Sequence, residues 1–445
     1  TKGLVKRGVS ELITPGVAFN EQLLRQKENN FIVGLCYEKS RCGAAFLDVS
    51  TGSFQLTEGD LDYIATLLSS FAPKELLVER GYEKGTKERF GNQYYVSTVD
   101  EWAFSYESAV KRLCDQLKVK SLKGFAVGGF PLGISAAGAL LVYLEQTQHT
   151  QLSHITSLRR IEEDRYVRLD NFTVRNLELV SSMNEDGISL LDIIGHTVTP
   201  MGARMLRRWM LFPLKDTTKI NKRLDVVDYF FRYPTLRDLV EEHLHHIGDL
   251  ERIIGRMSTG RVNPRDVIQL SNALQAMVTI KQECMQANDE TLSQIGSRME
   301  LCADIRDRIQ REVYPDAPLQ INRGNVIREG VNTELDELRQ MAFNGKEYLL
   351  HIQQREAEAT GIQSLKIGYN NVFGYYLEVR NTYKDQVPQE WIRKQTLTQA
   401  ERYITQELKE YEEKITGAQE RILHLETRLI NDQVNALAEN TTHIQ

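Results

Sequence analysis

The stretch from Leu335 to Leu429 constrains the fold most, because its hydrophobic period changes twice. In its second half Ile404, Leu408, Tyr411, Ile415, Ala418, Ile422, Leu425 and Leu429 recur at alternating spacings of four and three, an unbroken heptad seam. The first half carries a weaker version in Leu335, Leu338, Ala342, Leu349, Ile352 and Ala359, with a skipped turn at Gly345. Since the chain leaves and returns, the two seams predict an antiparallel coiled coil with arms of roughly 35–40 Å at about 1.5 Å per residue. Between the arms, Leu365 to Asn370 and Gly374 to Arg380 alternate as strands do, around a turn at Asn371-Val372-Phe373. Gly361 closes the first arm, and paired asparagines suit a tight connection. The expectation is a small β module at the tip of a helical stalk, with the rest of the chain as its body.

That body has two parts. Residues 17–150 read as α/β: strand-like runs at Phe31 to Tyr37, Cys42 to Val49, Phe54 to Leu56, Glu75 to Val78 and Tyr94 to Val96. Helices are expected from an Asp60 cap through Phe71, from Ser105 through Leu117, and from Ser135 through Thr147,. An early meander followed by alternating α and β predicts a mixed sheet. From 151 to 330 strand signals nearly vanish. Thr199-Pro200 and Asn263-Pro264 each pair a cap with proline at the first helical position,.

With 445 residues the chain is long enough for about three domains,. Its longest apolar run, Ala136 to Leu144, is too short to span a bilayer,. The start lacks an apolar signal-peptide core and an initiator Met, so an excised or processed piece is expected. Five scattered cysteines without a C-x-x-C suggest reduced thiols and a cytoplasmic location,. A net charge of −6 argues against a protein that coats DNA generally, while leaving room for a local basic site,.

Three constellations in the sequence could carry chemistry. Gly128 and Gly133 have phosphate-loop separation, but Ile134 stands where lysine is needed, so no ATP hydrolysis by that mechanism is expected. His243 and His246 share a helix face without a carboxylate partner, which suits ordinary histidines better than a metal site. Asp48 and Glu79 on strands of the α/β part could ligate Mg²⁺ in a nuclease of ribonuclease-H type, but no third acid accompanies them,. The tip is more informative. Leu365 to Leu377 and Trp391 to Gln399 contain no acid and supply Lys366, Asn370, Asn371, Arg393, Lys394, Thr398 and Gln399. A few cations mixed with amides and hydroxyls is what binds backbone phosphate, weakly and without reading sequence.

At these residues the chain resembles a known family. Gly368-Tyr369-Asn370-Asn371-Val372-Phe373-Gly374-Tyr375-Tyr376, Arg393-Lys394-Gln395-Thr396-Leu397 and Ala400-Glu401-Arg402-Tyr403 are similar to the clamp of the MutS family of DNA mismatch repair proteins. Thr199-Pro200-Met201-Gly202, Arg204 to Trp209, Pro213-Leu214 and Gly248 to Arg252 resemble its lever, and Ile13-Thr14-Pro15-Gly16 the junction after its mismatch-reading domain.

The resemblance implies a multidomain α+β chain. A linker would occupy 1–16, a ribonuclease-H-like connector 17–150, an all-α lever with coiled-coil arms 151–345 and 406–445, and a β-rich clamp 346–405. It also implies non-specific duplex DNA binding by the clamp, with Asn370 and Gln399 at backbone-touching positions; the family often has Asn where Gln399 stands, and His where Phe373 stands. The lever would couple the clamp to an ATPase domain outside this chain. ATP and Mg²⁺ would belong to the intact protein, a homodimer, with no cofactor or metal site here. A MutL-type partner would meet the connector, and no membrane is involved. Phe19-Asn20-Glu21 matches the family's mismatch-reading pattern by letters only, because it lies beyond the junction.

Overall fold

The structure is a computed structural model. It describes residues 12–439 apart from 20, 21, 148, 150, 185, 371 and 373, without side-chain placement at 341, 343–346, 413–416, 438 and 439. The chain divides into two compact units, one of residues 1–262, 266–309 and 434–445, the other of 263–265 and 310–433.

In the first unit the meander forms as expected: β1 (Ile32–Glu38), β2 (Arg41–Asp48) and β3 (Ser53–Asp60) pair antiparallel. β4 (Glu75–Glu79) and β5 (Tyr95–Val99) then add parallel to β1. A strand absent from the sequence reading, β6 (Arg159–Arg160), adds to β3, giving the order β5-β4-β1-β2-β3-β6 among the described residues. Without β6 this is the ribonuclease-H arrangement.

Helix α1 (Leu61–Phe71), capped by Asp60, packs on one face with Val33, Leu35, Ala44 and Phe46; α2 (Glu83–Phe90) joins β4 to β5. On the other face lie α3 (Tyr106–Gln116) and α4 (Pro131–Gln146), against Ile32, Ala45, Leu47 and Leu56. α4 begins at Pro131 rather than Ser135, because proline presets the first helical φ,. It lies so close to the sheet that a Cβ on Gly43 would come within 2.1 Å of the Leu132 backbone, and one on Gly133 within 2.8 Å of the Thr57 carbonyl. Gly133 therefore serves close helix–sheet contact.

Helices follow: α5 (Asn171–Asn176), α6 (Leu190–Ile194), α7 (Pro200–Leu211), α8 (Thr217–Arg232), α9 (Pro234–Leu244), α10 (Leu250–Ser258), α11 (Pro264–Gln286), α12 (Glu290–Arg298) and α13 (Ala303–Glu312). α7 is capped by Thr199, whose hydroxyl accepts from the Gly202 amide at 3.0 Å. Inside this unit Arg204, almost fully buried, is forked between Asp249 at 2.7 Å and Glu251 at 2.6 Å.

The second unit carries the two arms, α14 (Thr333–Thr360) and α15 (Gln406–Glu439) up to Gln433, the helices being roughly 42 and 51 Å long at 1.5 Å per residue,. α14 ends at Gly361 with φ 73°, the left-handed cap that glycine tolerates,. The arms run antiparallel: Arg421 reaches Glu334 at 3.0 Å near one end, and the Tyr348 ring lies 4.4 Å from Tyr411 near the other. Leu335, Leu338, Leu349, Ile352, Leu408, Ala418 and Leu425 are buried. The side chain of Ile415 lies outside those described.

The seam departs from the sequence expectation at both ends. Ile404 ends a strand instead of opening the second helix. At the far end the buried position is Ile430 rather than Leu429, since an undistorted helix drifts about 20° per heptad,.

Between the arms stand β7 (Lys366–Asn370), β8 (Gly374–Arg380), β9 (Ile392–Thr396) and β10 (Ala400–Ile404), in the order β7-β8-β10-β9. The last two were not read as strands in the sequence, because Arg393-Lys394-Gln395-Thr396 lacks apolar alternation. Leu377, Val379, Trp391 and Tyr403 close a core with Leu349, Ile352, Ile362, Leu365 and Leu408.

Candidate nucleic-acid interface

The four-stranded sheet turns one face to the arms and the other outward. On β8 the alternation sends Leu377 and Val379 inward, leaving Tyr376, Glu378 and Arg380 on the opposite face. Register places Lys366 opposite Glu378 and Gly368 opposite Tyr376. The Tyr376 ring covers Gly368 so closely that a Cβ there would come within 2.6 Å of it. Arg402 of β10 stacks on the same ring at 4.3 Å, donates to Glu378 at 3.1 Å and reaches the Gln395 side chain at 2.8 Å. Glu378 is thus neutralised in place.

The expected site residues do not form one patch. Asn370 lies at the Gly374 end of β8, where its side-chain oxygen accepts from the Val372 amide at 2.8 Å. Thr398 and Gln399 form the β9–β10 turn, at the Arg380 end. About six residue steps, roughly 20 Å of strand, separate these ends. Lys366 belongs with the Arg380 end. Asn371 and Phe373 lie outside the described residues.

Arg393 and Lys394 stand on the edge strand, and among the described residues only Arg393 has a carboxylate partner. Arg393 donates to Glu401 at 3.2 Å, and Tyr403 donates to the same carboxylate. The Tyr403 hydroxyl, then the Arg393 charge, hold the Glu401 carboxyl below its usual range, while burial and this bond push Tyr403 up to about 12. Lys394 is exposed at the β-bulge between Arg402 and Tyr403 and has no carboxylate partner among the described residues. The acid-free segments of the sequence are therefore not acid-free in space, because antiparallel pairing brings Glu378 and Glu401 across.

Sequence reading missed Arg380 and Asn381. Arg380 is an exposed cation opposite Ala400, on the same face as Lys366. Asn381 holds the turn by donating its amide to the Gln399 carbonyl and its side chain to the Thr398 carbonyl, each at 3.1 Å. The alternation Tyr376-Glu378-Arg380 carried the signal, once the face of Tyr376 was known.

The nuclease reading fails on geometry. Asp48 is fully buried and already accepts from the Asn29 side chain, the Asn30 amide, and both the amide and hydroxyl of Ser50, at 2.7–3.1 Å. It lies at the Glu75 end of the sheet, whereas Glu79 ends β4 at the other, roughly 13 Å along the strand,. Among the described residues no three His, Cys, Asp or Glu side chains gather as a metal site, and no helix is long and apolar enough to cross a membrane. Phe19 is buried with the Arg261 guanidinium 5.0 Å above its ring, while Asn20 and Glu21 lie outside the described residues.

Residues 30–156 match the family model described as MutS domain II, and residues 172–445 the one described as MutS domain III. The chain is 59% identical over its whole length to a DNA mismatch repair protein MutS of Bacteroides fragilis, covering 52% of that protein. It is 54% identical over 429 residues to the MutS of Porphyromonas gingivalis (96% of this chain, 48% of that one). With the MutS of Flavobacterium johnsoniae the identity is 46% over all 445 residues, 51% of the relative. The chain spans about half the length of the curated relatives it matches.

Proposed function

This chain belongs to the MutS family of DNA mismatch repair proteins, and we propose that its inserted sheet is a clamp that holds duplex DNA by the phosphate backbone. The observation that carries this reading is the outward Lys366 and Arg380, without carboxylate partners among the described residues, beside the exposed Thr398–Gln399 turn. Lys394 extends the same chemistry along the edge strand. Such groups position a protein on DNA without specifying sequence. Asn370, at the other end of β7, would make a separate contact together with Asn371, which follows it in sequence.

The proposal extends to the division of labour. Residues 17–150 form a connector that offers a surface to a MutL-type partner; 151–345 and 406–445 form a lever, and 346–405 the clamp. The arms, cross-linked by Arg355 to Glu407 at 2.5 Å and Arg339 to Glu426 at 2.6 Å, suit transmission of clamp position toward an ATPase domain of the intact, homodimeric protein. ATP and Mg²⁺ act there, and the location is cytoplasmic.

A fluorescence titration with a short duplex at several salt concentrations tests the clamp. Lys366→Ala with Arg380→Ala should weaken matched and mismatched duplexes equally and flatten the log–log salt slope by about two. Unchanged affinity would move the DNA site off this sheet.

A further inference from the structure

We propose that Arg159, Arg165, Arg208 and Arg223, gathered around Tyr166 and Trp209 in the first unit, form a second contact for the phosphate backbone of nucleic acid.

Four separate elements deliver these guanidinium groups. Arg159, on edge strand β6, lies directly opposite Gln55 in the parallel β3–β6 pairing, so the two side chains leave the sheet on one face,. Arg208 of α7 reaches that same Gln55, donating to its side-chain oxygen at 2.7 Å. Arg223 of α8 lies 3.5 Å from the centroid of the Trp209 ring. Arg165 flanks Tyr166, 5.6 Å from its ring, and its carbonyl accepts the Lys215 amide at 3.2 Å. Tyr166 itself leans edge-on against Phe212.

Like charges are assembled here without the usual compensation. None of the four has a carboxylate partner within ion-pair distance among the described residues. Arg208 is satisfied by a neutral amide, and Arg223 by an aromatic face. The nearby acids are engaged elsewhere, Glu162 with Arg160 at 3.0 Å and Glu163 beside Arg168 at 3.8 Å, or, like Asp164, have no ion pair among the described residues. Desolvation depresses Arg208 and Arg223, the Tyr166 phenol offsets part of this, and the neighbouring charges, Arg159 and Arg165 for Arg208 and Arg165 for Arg223, depress them further. In a chain of net charge −6, such a cluster is a local attractor for polyanions,. Guanidinium forks fit phosphate oxygens in pairs, and Trp209, 42% exposed beneath Arg223, adds the aromatic surface that recurs where nucleic acid is held,.

The choice of nucleic acid over an acidic protein rests on the duplex reading above, so the test separates the two. Duplex titrations across salt compare this chain with Arg159→Ala/Arg165→Ala, with Lys366→Ala/Arg380→Ala, and with all four substitutions. Arg159 and Arg165 are exposed, and thermal melting checks that the variants fold. The first pair is expected to weaken binding about tenfold at low salt and to flatten the slope by about two, in both the parent and the clamp-substituted background. An unchanged slope in both backgrounds overturns the inference. If only the clamp pair is silent, the clamp reading fails and this site stands. A labelled poly-glutamate peptide whose binding needs these arginines, with duplex binding indifferent to them, would overturn it in favour of an acidic protein partner. Phenylglyoxal labelling needs no variant: duplex should protect Arg159 and Arg165 but not Arg237, and equal labelling counts against the site.

Discussion

Arg339 and Glu426 meet at 2.6 Å across the two antiparallel arms, and the carboxylate is fully buried. The same Glu426 oxygen accepts the amides of Val326 at 3.1 Å and Ile327 at 3.4 Å. One side chain of α15 thereby fixes both α14 and the segment leading into it. Removing the carboxylate leaves two buried amides without their acceptor and takes the closest counter-ion from a guanidinium only 18% exposed, which keeps the Ile327 carbonyl at 2.6 Å and Asp336 at 3.6 Å. Glu426→Ala should cost about 3–5 kcal/mol, and Glu426→Gln less, because the amide oxygen still accepts. Urea unfolding checks this; an unchanged midpoint for the alanine variant would contradict the packing.

The seam itself separates two readings. A strict heptad makes Leu429 an interface residue, whereas Leu425 and Ile430 are the deeply buried ones, at 4% and 2% exposure. Leu425→Asp and Ile430→Asp should each cost several kcal/mol by placing an unpaired charge in an apolar seam. Leu429→Asp should cost clearly less. Equal losses at 429 and 430 would restore the sequence-based seam.

Glu407 gives the arms a pH dependence. Its carboxylate accepts from Arg355 and from the Tyr348 hydroxyl, and these bonds, Arg355 first, hold its pKa below the usual value. A carboxyl depressed in the folded state stabilises fully above its unfolded pKa of about 4.3 and loses that contribution as pH falls through the folded value. The Tm difference between the parent chain and Glu407→Gln should therefore be present at neutral pH and shrink on acidification below about 4.3. A difference that persisted unchanged to the acid limit would deny the linkage.

Much of this was legible because period is a local property. Heptads, the β-meander, the Asp60 and Thr199 caps and the Gly361 stop all sit in contiguous residues, and each formed its element. What the sequence concealed was partnership across strands. Arg393 reads as a free cation until β10 brings Glu401 beside it, and Asn370 reads as a neighbour of Gln399 until register sends them to opposite ends of the sheet. Edge strands also escape: β6 is two arginines, and β9 is almost wholly polar, so neither carries an apolar alternation. The Asp48 carboxylate looked available only because its four donors come from Asn29, Asn30 and Ser50, whose turns a linear reading cannot fold back onto it.

Asp48 supplies a test of that last point. Asp48→Ala should destabilise the first unit by about 1–3 kcal/mol, through donors left unsatisfied in a buried loop. Mg²⁺ should not raise the Tm of the parent chain. A Mg²⁺-dependent rise abolished by Asp48→Asn would place a metal there after all.

The two edge-strand cations should behave oppositely when their surroundings are changed. Lys394 is unpaired, so Lys394→Ala should remove one phosphate contact and flatten the salt slope of duplex binding by about one. Arg393 is shared with Glu401, whose carboxylate lies 3.2 Å from its guanidinium and cancels its charge. Glu401→Gln removes that charge and frees the guanidinium, so affinity should rise at low salt and the slope steepen by about one. Arg393→Ala should weaken binding more than Lys394→Ala, because it deletes a cation and leaves Glu401 countered only by the Tyr403 hydroxyl. The clamp's own share of the parent slope should be shallow, on the order of −2 to −4, since few phosphates are neutralised there. Fluorescence titration at four or more salt concentrations reads all of these. If Glu401→Gln left affinity and slope unchanged while Lys394→Ala lowered both, Arg393 would face away from the duplex, and the binding surface would be confined to the Arg380 end and the bulge.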